Sequence, residues 1–135
     1  MLKHDITREK KRKYHNTKKG CYTCILPKGV VRNHMIKQTE FASFHYDMWA
    51  RPFFIVTPNY HYHTLFEMTP TAQARLWSEI QTFLQEMGFT DFQCLFNNGN
   101  WQTHHHLHIK IKVDEVTILN MRKKHLRTTD IKTYT

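Results

Sequence analysis

The sequence predicts one α+β domain with a largely antiparallel sheet. Three observations predict it. The length of 135 residues suits one hydrophobic core, the chain has several short β-forming runs, and a single clear amphipathic helix lies between them. Hydrophobic residues make up 40% of the chain, which argues against disorder. No apolar run approaches the ~20 residues that cross a bilayer.

The first third of the chain is predicted to hold a basic arm followed by strands. Residues 1–20 are highly charged and have no hydrophobic centre, so we expect a solvated, flexible arm and not a secretory signal. The run GVVRNHMIKQTEFASFHYD predicts one or two short strands. RPFFIVTP is rich in β-forming residues and bounded by prolines, which predicts a buried strand.

A helix is predicted from Pro70 to about Gly88. Thr69 can cap it, Pro70 suits the first helical position, and Gly88 is a typical stop. The apolar stripe of this helix is interpreted as core packing, and its members follow helical spacing: Leu76, Ile80, Phe83, Leu84 and Met87.

The last third of the chain is predicted to form a strand pair. DFQCLFN predicts a strand in which Cys94 is a core residue, NGNW predicts a turn, and HLHIKIKV alternates as a final strand. From Asp114 onward we expect a short helix and a basic tail. The predicted organisation is therefore an arm at 1–20, a domain at 21–113, and an extension at 114–135.

Charge and cysteine content limit the partners and the compartment. The formal net charge is +9, with much of the excess in REKKRKYHNTKK and MRKKHLRTTDIK. Such runs favour polyanions such as nucleic acid, or serve as solubilising tails, and composition leaves both open. Three cysteines without a secretion signal favour a reducing compartment, so we expect a cytoplasmic protein, or a nuclear one in a eukaryote.

The run WQTHHHLHIKIKV, residues 101–113, places four histidines within five positions. On a strand His104, His106 and His108 would share one face, with neighbours roughly 7 Å apart. Buried imidazoles cost stability unless they have partners, so a role is expected for them. Three interpretations compete: a hydrated polar face, a metal site, and a phosphate-handling site in which one imidazole attacks phosphorus.

Four segments together resemble the histidine-triad (HIT) superfamily of nucleotide hydrolases and transferases. HHHLHIK fits its His-x-His-x-His signature, and FFIVTPNYHYHTLFEMTPTAQARLW is similar to its buried strand, Pro-x-x-His turn and helix. CLFNNG resembles the Asn-Gly segment before the triad, and CYTC the Cys-x-x-Cys of zinc-containing members. The resemblance covers residues 21–113. It implies a HIT-like fold with a mainly antiparallel five-stranded sheet, one long helix and short helices.

The resemblance implies catalytic roles for the triad. The register with three histidines makes His106 the central one, since a shift by two would put Lys110 third. His106 would then form a covalent nucleotidyl-histidine that water cleaves, with its other nitrogen held by a backbone carbonyl. His108 would contact the phosphate and assist the departing group.

The resemblance also implies nucleotide contacts, on which this sequence departs from the family. Asn98, or else Asn97, would help to hold the nucleotide. Gln102 and Thr103 are similar to phosphate donors of relatives but lie closer to the first histidine, because the preceding loop is short. Trp101 could stack on a base.

Two further positions depart from the family pattern. Position 105 is usually aliphatic, and here it is His105. The residue that contacts ribose has no clean equivalent, and His45 and Asp47 both lie near its place.

A structural zinc site is implied in the same way. Its ligands would be Cys21, Cys24, His61 and His104, with His63 as the alternative to His61. Two thiolates and two imidazoles suit tetrahedral zinc. An unmetallated Cys-x-x-Cys pair is the other interpretation, because that spacing alone is common.

The sequence therefore leads to three candidate functions. The first is a nucleotide phosphate hydrolase that releases a nucleoside monophosphate from a phosphoramidate, a dinucleoside polyphosphate or a nucleotidyl adduct. The second is an aprataxin-like enzyme that removes a nucleotide from a nucleic-acid end, and the third is a non-catalytic nucleotide-binding or scaffold protein. The resemblance also implies a homodimer, and no association with a membrane is expected.

Overall fold

The structure is a computed structural model that describes residues 33–102 and 106–134, with side chains as far as residue 128. Five strands form one antiparallel sheet in the order β1-β2-β3-β5-β4, and their bounds are Met35–Gln38, Ala42–Tyr46, Phe53–Pro58, Gln93–Phe96 and Ile109–Lys112. Helix α1 spans Pro70–Met87 and helix α2 spans Glu115–Tyr134. The predicted α+β fold with its five-stranded antiparallel sheet is confirmed.

Helix α1 begins and ends where the sequence predicts. The Thr69 hydroxyl accepts a hydrogen bond from the Ala72 amide at 3.1 Å, and Pro70 occupies the first turn. Gly88 ends the helix with a φ of 83°, in the left-handed region that suits glycine.

Helix α1 packs on one face of the sheet. The Phe83 ring stacks on Phe44 at 4.5 Å between centroids and meets Phe54 edge-on at 5.2 Å. The same core includes the buried side chains of Ile109 and Ile111. The alternate residues of β5, Lys110 and Lys112, therefore belong to the opposite face, where exposure is greater.

Helix α2 has 20 residues, whereas the sequence predicted a short helix. The Asp114 carboxylate accepts the Thr117 amide at 3.0 Å and caps its start. Ile118 is buried in the core, and the Arg122 guanidinium donates to the carbonyl oxygen of Asp47 at 3.1 Å. These tertiary contacts fasten a helix whose apolar residues are too sparse to mark it in the sequence.

Strand β5 is shorter than predicted, because it begins at Ile109 and not at His106. Its pairing with β3 runs from Phe53 opposite Lys112 to Val56 opposite Ile109. Pro58 has no N–H to donate to a continued ladder. The Leu107 amide donates instead to the Tyr62 carbonyl at 2.7 Å.

Several predictions fall outside the described residues. They concern the basic arm at 1–20 and the side chains of Cys21, Cys24, Thr103, His104 and His105. The predicted domain boundaries also stay predictions. Among the helices of the described ranges, none combines the length and apolar content needed to span a bilayer.

Candidate active site

The centre of the candidate site is a pair of histidine rings from two loops. The Nδ1 atoms of His61, just after β3, and His106, just before β5, lie 3.2 Å apart. The ring centroids are 4.9 Å apart and the planes are nearly perpendicular, at 87°. The chain reversal after Pro58 brings the Pro-x-x-His turn against the triad segment, as the resemblance implied for His61, whereas the ring of His63 has its described contact with Glu67, at 4.0 Å.

Both ring nitrogens of His106 are engaged inside the protein. Its Nε2 lies 2.8 Å from the carbonyl oxygen of Pro58, which can only accept, so Nε2 carries the proton. In the neutral ring Nδ1 is then the acceptor, and His61 donates to it. This assignment leaves neither nitrogen of His106 with a lone pair directed at a substrate.

Burial keeps His106 in its neutral form. The side chain is only 2% exposed, and this burial lowers its pKa to about 4, although the bond to Pro58 acts in the opposite direction. His61 adds a smaller lowering of the pKa. At neutral pH His106 is therefore an uncharged ring with two fixed hydrogen bonds.

His108 lies in a different environment. Its side chain is partly exposed, and its Nδ1 is 3.2 Å from the backbone carbonyl oxygen of His106. The neighbouring residues Leu107 and Ile109 are buried in the core, so the chain presents His108 on the opposite side. The sequence analysis expected a backbone carbonyl beside His106, and the structure has one beside each ring, that of Pro58 at His106 and that of His106 at His108.

Basic side chains continue from His108 along the same face of β5. Lys110 is partly buried, and its Nζ lies 5.2 Å from the centre of the Phe53 ring. The guanidinium carbon of Arg51 also lies close to this ring, at 5.1 Å from its centre. Burial lowers the pKa of Lys110, and the charge of Arg51 lowers it further. Lys110 could neutralise phosphate oxygens, whereas the charge of Arg51 is already paired with the Asp47 carboxylate at 2.8 Å. The sequence analysis missed Arg51 because nothing local marks it.

The predicted nucleotide-binding residues hold the loops of the site together. The side-chain oxygen of Asn98 accepts the Leu65 amide at 3.0 Å. Gln102 is 2% exposed, donates to the His63 carbonyl at 2.7 Å and accepts the Gly99 amide at 2.9 Å. Asn97 is partly buried nearby. The described contacts of Asn98 and Gln102 are therefore structural, and their contact with a nucleotide stays a prediction.

The two candidates for the ribose contact, Asp47 and His45, both have polar contacts within the protein. Asp47 is fully buried, and its carboxylate accepts from the Arg51 guanidinium at 2.8 Å and from the Trp49 amide at 2.9 Å. The Nδ1 of His45 contacts the Tyr46 carbonyl at 3.0 Å. The carboxylate of Asp47 thus bonds within the loop before β3. Its contact with a ribose stays a prediction.

The donor geometry of the histidine pair can be compared with a zinc site. Two nitrogens that each lie about 2.0–2.1 Å from a tetrahedral zinc are about 3.3 Å apart, close to the 3.2 Å between His61 and His106. Within the described ranges no group of three potential ligands occurs. The two Nδ1 atoms are therefore spaced as two zinc ligands would be, and a bound zinc would replace the hydrogen between them. Cys21, Cys24 and His104 lie outside the description.

The fold has clear counterparts among solved structures. A HIT family hydrolase from Legionella pneumophila is similar with a TM-score of 0.60 and 14% identity, over 70% of this chain and 92% of that chain. A hypothetical protein from Leishmania major is similar with a TM-score of 0.59 and 21% identity, over 71% of this chain and 74% of that chain. A histidine triad protein from Clostridium difficile is similar with a TM-score of 0.51 and 22% identity, over 58% of this chain and 76% of that chain.

Comparison of the sequence alone finds no counterpart. No family model matches the chain, and no curated protein matches it either. This chain has the fold of the histidine-triad proteins.

Proposed function

We propose that this protein is a nucleotide phosphate hydrolase, or a nucleotidyl transferase, that acts through a covalent nucleotidyl-histidine. The observation that carries the proposal is a partly exposed imidazole in the segment 106–108, held through Nδ1 by a backbone carbonyl and followed by Lys110 on the same face. The histidine-triad fold supports the same activity.

The residues suit the chemistry. A neutral imidazole is nucleophilic through its unprotonated nitrogen. Attack on phosphorus places negative charge on the phosphate oxygens, which a nearby ammonium group such as that of Lys110 can stabilise. Water then cleaves the phosphorus–nitrogen bond and releases a nucleoside monophosphate.

The test is AMP release from a panel of substrates. The purified chain is incubated with adenosine phosphoramidate, a diadenosine polyphosphate and a 5′-adenylated DNA nick, and the product is separated by chromatography. We expect release from at least one substrate, and loss of release in the double variant His106→Asn, His108→Asn with its circular dichroism retained. No release from any substrate by the wild type, or an undiminished rate in the folded double variant, would refute the proposal.

We also propose a structural zinc in which Cys21 and Cys24 join His61 and a triad histidine. The 3.2 Å between His61 and His106 supports it, and so does the donor chemistry, since thiolates and imidazoles are the ligands that zinc prefers. When bound, zinc would stabilise the fold and take no part in the reaction. Elemental analysis should give one zinc per chain in the wild type and a loss in Cys21→Ser, Cys24→Ser, whereas Cys94→Ser should keep it.

A nucleic-acid end is the second candidate substrate, and one observation favours it. A surface groove on α2 is lined largely by basic side chains: Asn120, Lys123, Lys124, Arg127 and Thr128. Cations arranged along a helix suit a phosphate backbone, and binding of this kind weakens steeply with salt. A gel shift with a nicked duplex should show salt-sensitive binding that Lys123→Ala, Lys124→Ala reduces. Absence of binding at low salt would exclude this candidate.

A further inference from the structure

We infer that the face of the sheet opposite α1 binds a single-stranded nucleic acid, with the reacting phosphate beside Lys110, the next phosphate beside Lys112 and a base on Trp49. The inference rests on the proposed function and names its substrate class, which is a nucleic-acid end and not a free nucleotide. The observation that carries it is uncompensated positive charge along β5.

The segment 108–112 presents three side chains in a row on this face. Ile109 and Ile111 belong to the core, so His108, Lys110 and Lys112 share the opposite side, with neighbours roughly 7 Å apart. Lys110 is partly buried and Lys112 is exposed. The row is therefore about 13 Å long. Such a length suits successive phosphates of one strand better than a single phosphate group.

The neighbours of Lys110 and Lys112 in the sheet do not neutralise them. The four residues directly opposite the two lysines are all uncharged: Ile55, Leu95, Phe53 and Gln93. Among the residues that the structure describes, no ion pair includes either ammonium group. Opposite charges across a sheet stabilise it, whereas two like charges on one face repel each other. A bound polyanion would remove this repulsion.

Protection of a sheet edge does not account for these two lysines. Lysine is common on edge strands, where its charge opposes pairing with a second chain. Strand β5, however, lies between β3 and β4 in the sheet. The charges of Lys110 and Lys112 therefore act at the face of the sheet and not at an edge.

Aromatic rings accompany the cations, as they do on surfaces that bind single strands. The Phe53 ring contacts both Lys110 and Arg51, at 5.2 and 5.1 Å from its centre. Arg51 is in turn 5.7 Å from the ring of Trp49, which is 46% exposed. Because Arg51 is paired with Asp47, it adds little net charge and serves to position these rings. The exposed part of Trp49 is suited to stacking with a base of any sequence.

The test measures how salt weakens binding of a single strand. The full chain is titrated into a fluorescent oligothymidylate of about 10 nucleotides, and anisotropy gives the affinity at several salt concentrations. For single strands the slope of log affinity against log salt is about −0.7 per phosphate contact. Lys110→Met and Lys112→Met should each weaken binding and make the slope shallower by about 0.7, and the double variant by about 1.4.

Lys37→Met is the matched control for these two variants. It removes the same charge from another strand of the sheet, where the Lys37 ammonium pairs with Glu86 of α1 at 2.9 Å. Its slope should equal that of the wild type. An unchanged slope in both Lys110→Met and Lys112→Met, or an equal change in Lys37→Met, would overturn the inference.

The contact with a base has its own variant and control. Trp49→Ala should weaken binding by about 5- to 100-fold through loss of stacking, and it should keep the wild-type salt slope because no phosphate contact is lost. Trp77→Ala is the control, since Trp77 is 41% exposed on α1. Unchanged affinity in Trp49→Ala, or an equal loss in Trp77→Ala, would overturn the base contact.

Two further outcomes separate this inference from its alternatives. A slope that becomes shallower only in Lys123→Ala, Lys124→Ala would assign the strand to the groove on α2 and overturn the inference. Absence of binding at low salt would also overturn it, while AMP release from adenosine phosphoramidate would leave the proposed function standing. The expected slopes without AMP release from any substrate would overturn the proposed function and leave the nucleic-acid contact.

Discussion

The rings of His61 and His106 meet through their Nδ1 atoms at 3.2 Å and nearly at right angles, which joins the loop after β3 to the segment before β5. His106 is bonded a second time, to the carbonyl of Pro58. One side chain thus fixes two stretches of chain that are more than 40 residues apart in the sequence. Through these contacts His106 stabilises the fold, in addition to any chemical role.

Replacing His106 by Ala should lower the free energy of unfolding by about 1–3 kcal/mol, because the buried carbonyl of Pro58 and the ring of His61 lose their partner. Urea denaturation measures the change. The control is His63→Ala, whose ring is a third exposed and lies 4.0 Å from Glu67, and which should cost less than about 0.5 kcal/mol. Equal losses in the two variants would show that the His61–His106 contact adds nothing to stability.

Helix α2 should depend on Arg122 for its attachment. Its guanidinium donates to the backbone carbonyls of Asp47 and Met48, and charged donors of this kind contribute about 1.5–3 kcal/mol. Arg122→Met should therefore lower the unfolding free energy by about that amount. Lys123→Met is the matched control, since Lys123 is exposed on the same helix, and a comparable loss there would contradict the assignment.

Stability should decrease on acidification in part through His45. Burial lowers the pKa of His45 below its ordinary value of 6.5, the nearby His34 lowers it further, and the Tyr46 carbonyl and Asp47 oppose the shift. The unfolded chain therefore binds more protons at this residue, and the stabilisation present above pH 6.5 is lost as the pH falls below it.

The measurement compares unfolding free energies at pH 7.5 and at about pH 5. His45→Gln should show a smaller loss between these two pH values than the wild type, since glutamine does not titrate. An unchanged loss would mean that His45 does not contribute to the acid sensitivity. Retained circular dichroism at pH 7.5 is the control for the fold of the variant.

Trp101 should contribute to binding of the base and not to folding. The side chain is 80% exposed at the 3-10 turn Gly99–Trp101, directly before the triad segment. A base stacked on an aromatic ring gains about 1–3 kcal/mol, so Trp101→Ala should raise KM by about 5- to 100-fold while the melting temperature stays the same. Phe92→Ala, at an aromatic residue beside β4 that is 48% exposed, is the control. An unchanged KM for Trp101→Ala would exclude stacking.

A homodimer is expected to form through the edge of β4. In the described part of the sheet β4 pairs with β5 on one side only, and Leu95 and Phe92 are 44% and 48% exposed. Unpaired edges with apolar side chains favour pairing with a second copy, and charge opposes it. Light scattering should give a dimer for the wild type and a monomer for Leu95→Lys, with Lys112→Met as a dimeric control. A monomeric wild type would contradict the expectation.

The elements with strong local signals could be predicted from the sequence. Helix α1 has a cap at Thr69, a proline at its start and a glycine at its end, so its bounds follow from backbone chemistry alone. Strand β3 could be predicted because its residues form a short, continuous apolar run, as is typical of a buried strand. Helix α2 was predicted too short, because it is fixed by long-range contacts such as that of Arg122 with Asp47, which no local pattern reveals.

The residue types of the candidate site could be picked from the sequence, but which of them meet depends on tertiary contacts. The resemblance paired His61 with His104 as zinc ligands, which stays a prediction, whereas the contact of His61 with His106 and the bond of His106 to Pro58 come from the tertiary structure. Counting histidines favours one register, but it does not reveal that the ring of His106 is buried while that of His108 is partly exposed. Sequence spacing does not contain that information.

Pro58 has a consequence for how this region can vary in length. Since pairing of β3 and β5 stops before it, His108 takes its position from Ile109 onward, at its C-terminal side, and not from the preceding loop. A change of length between Asn98 and the histidines would therefore leave the backbone of His108 in place, because the strand pairing that begins at Ile109 sets its position.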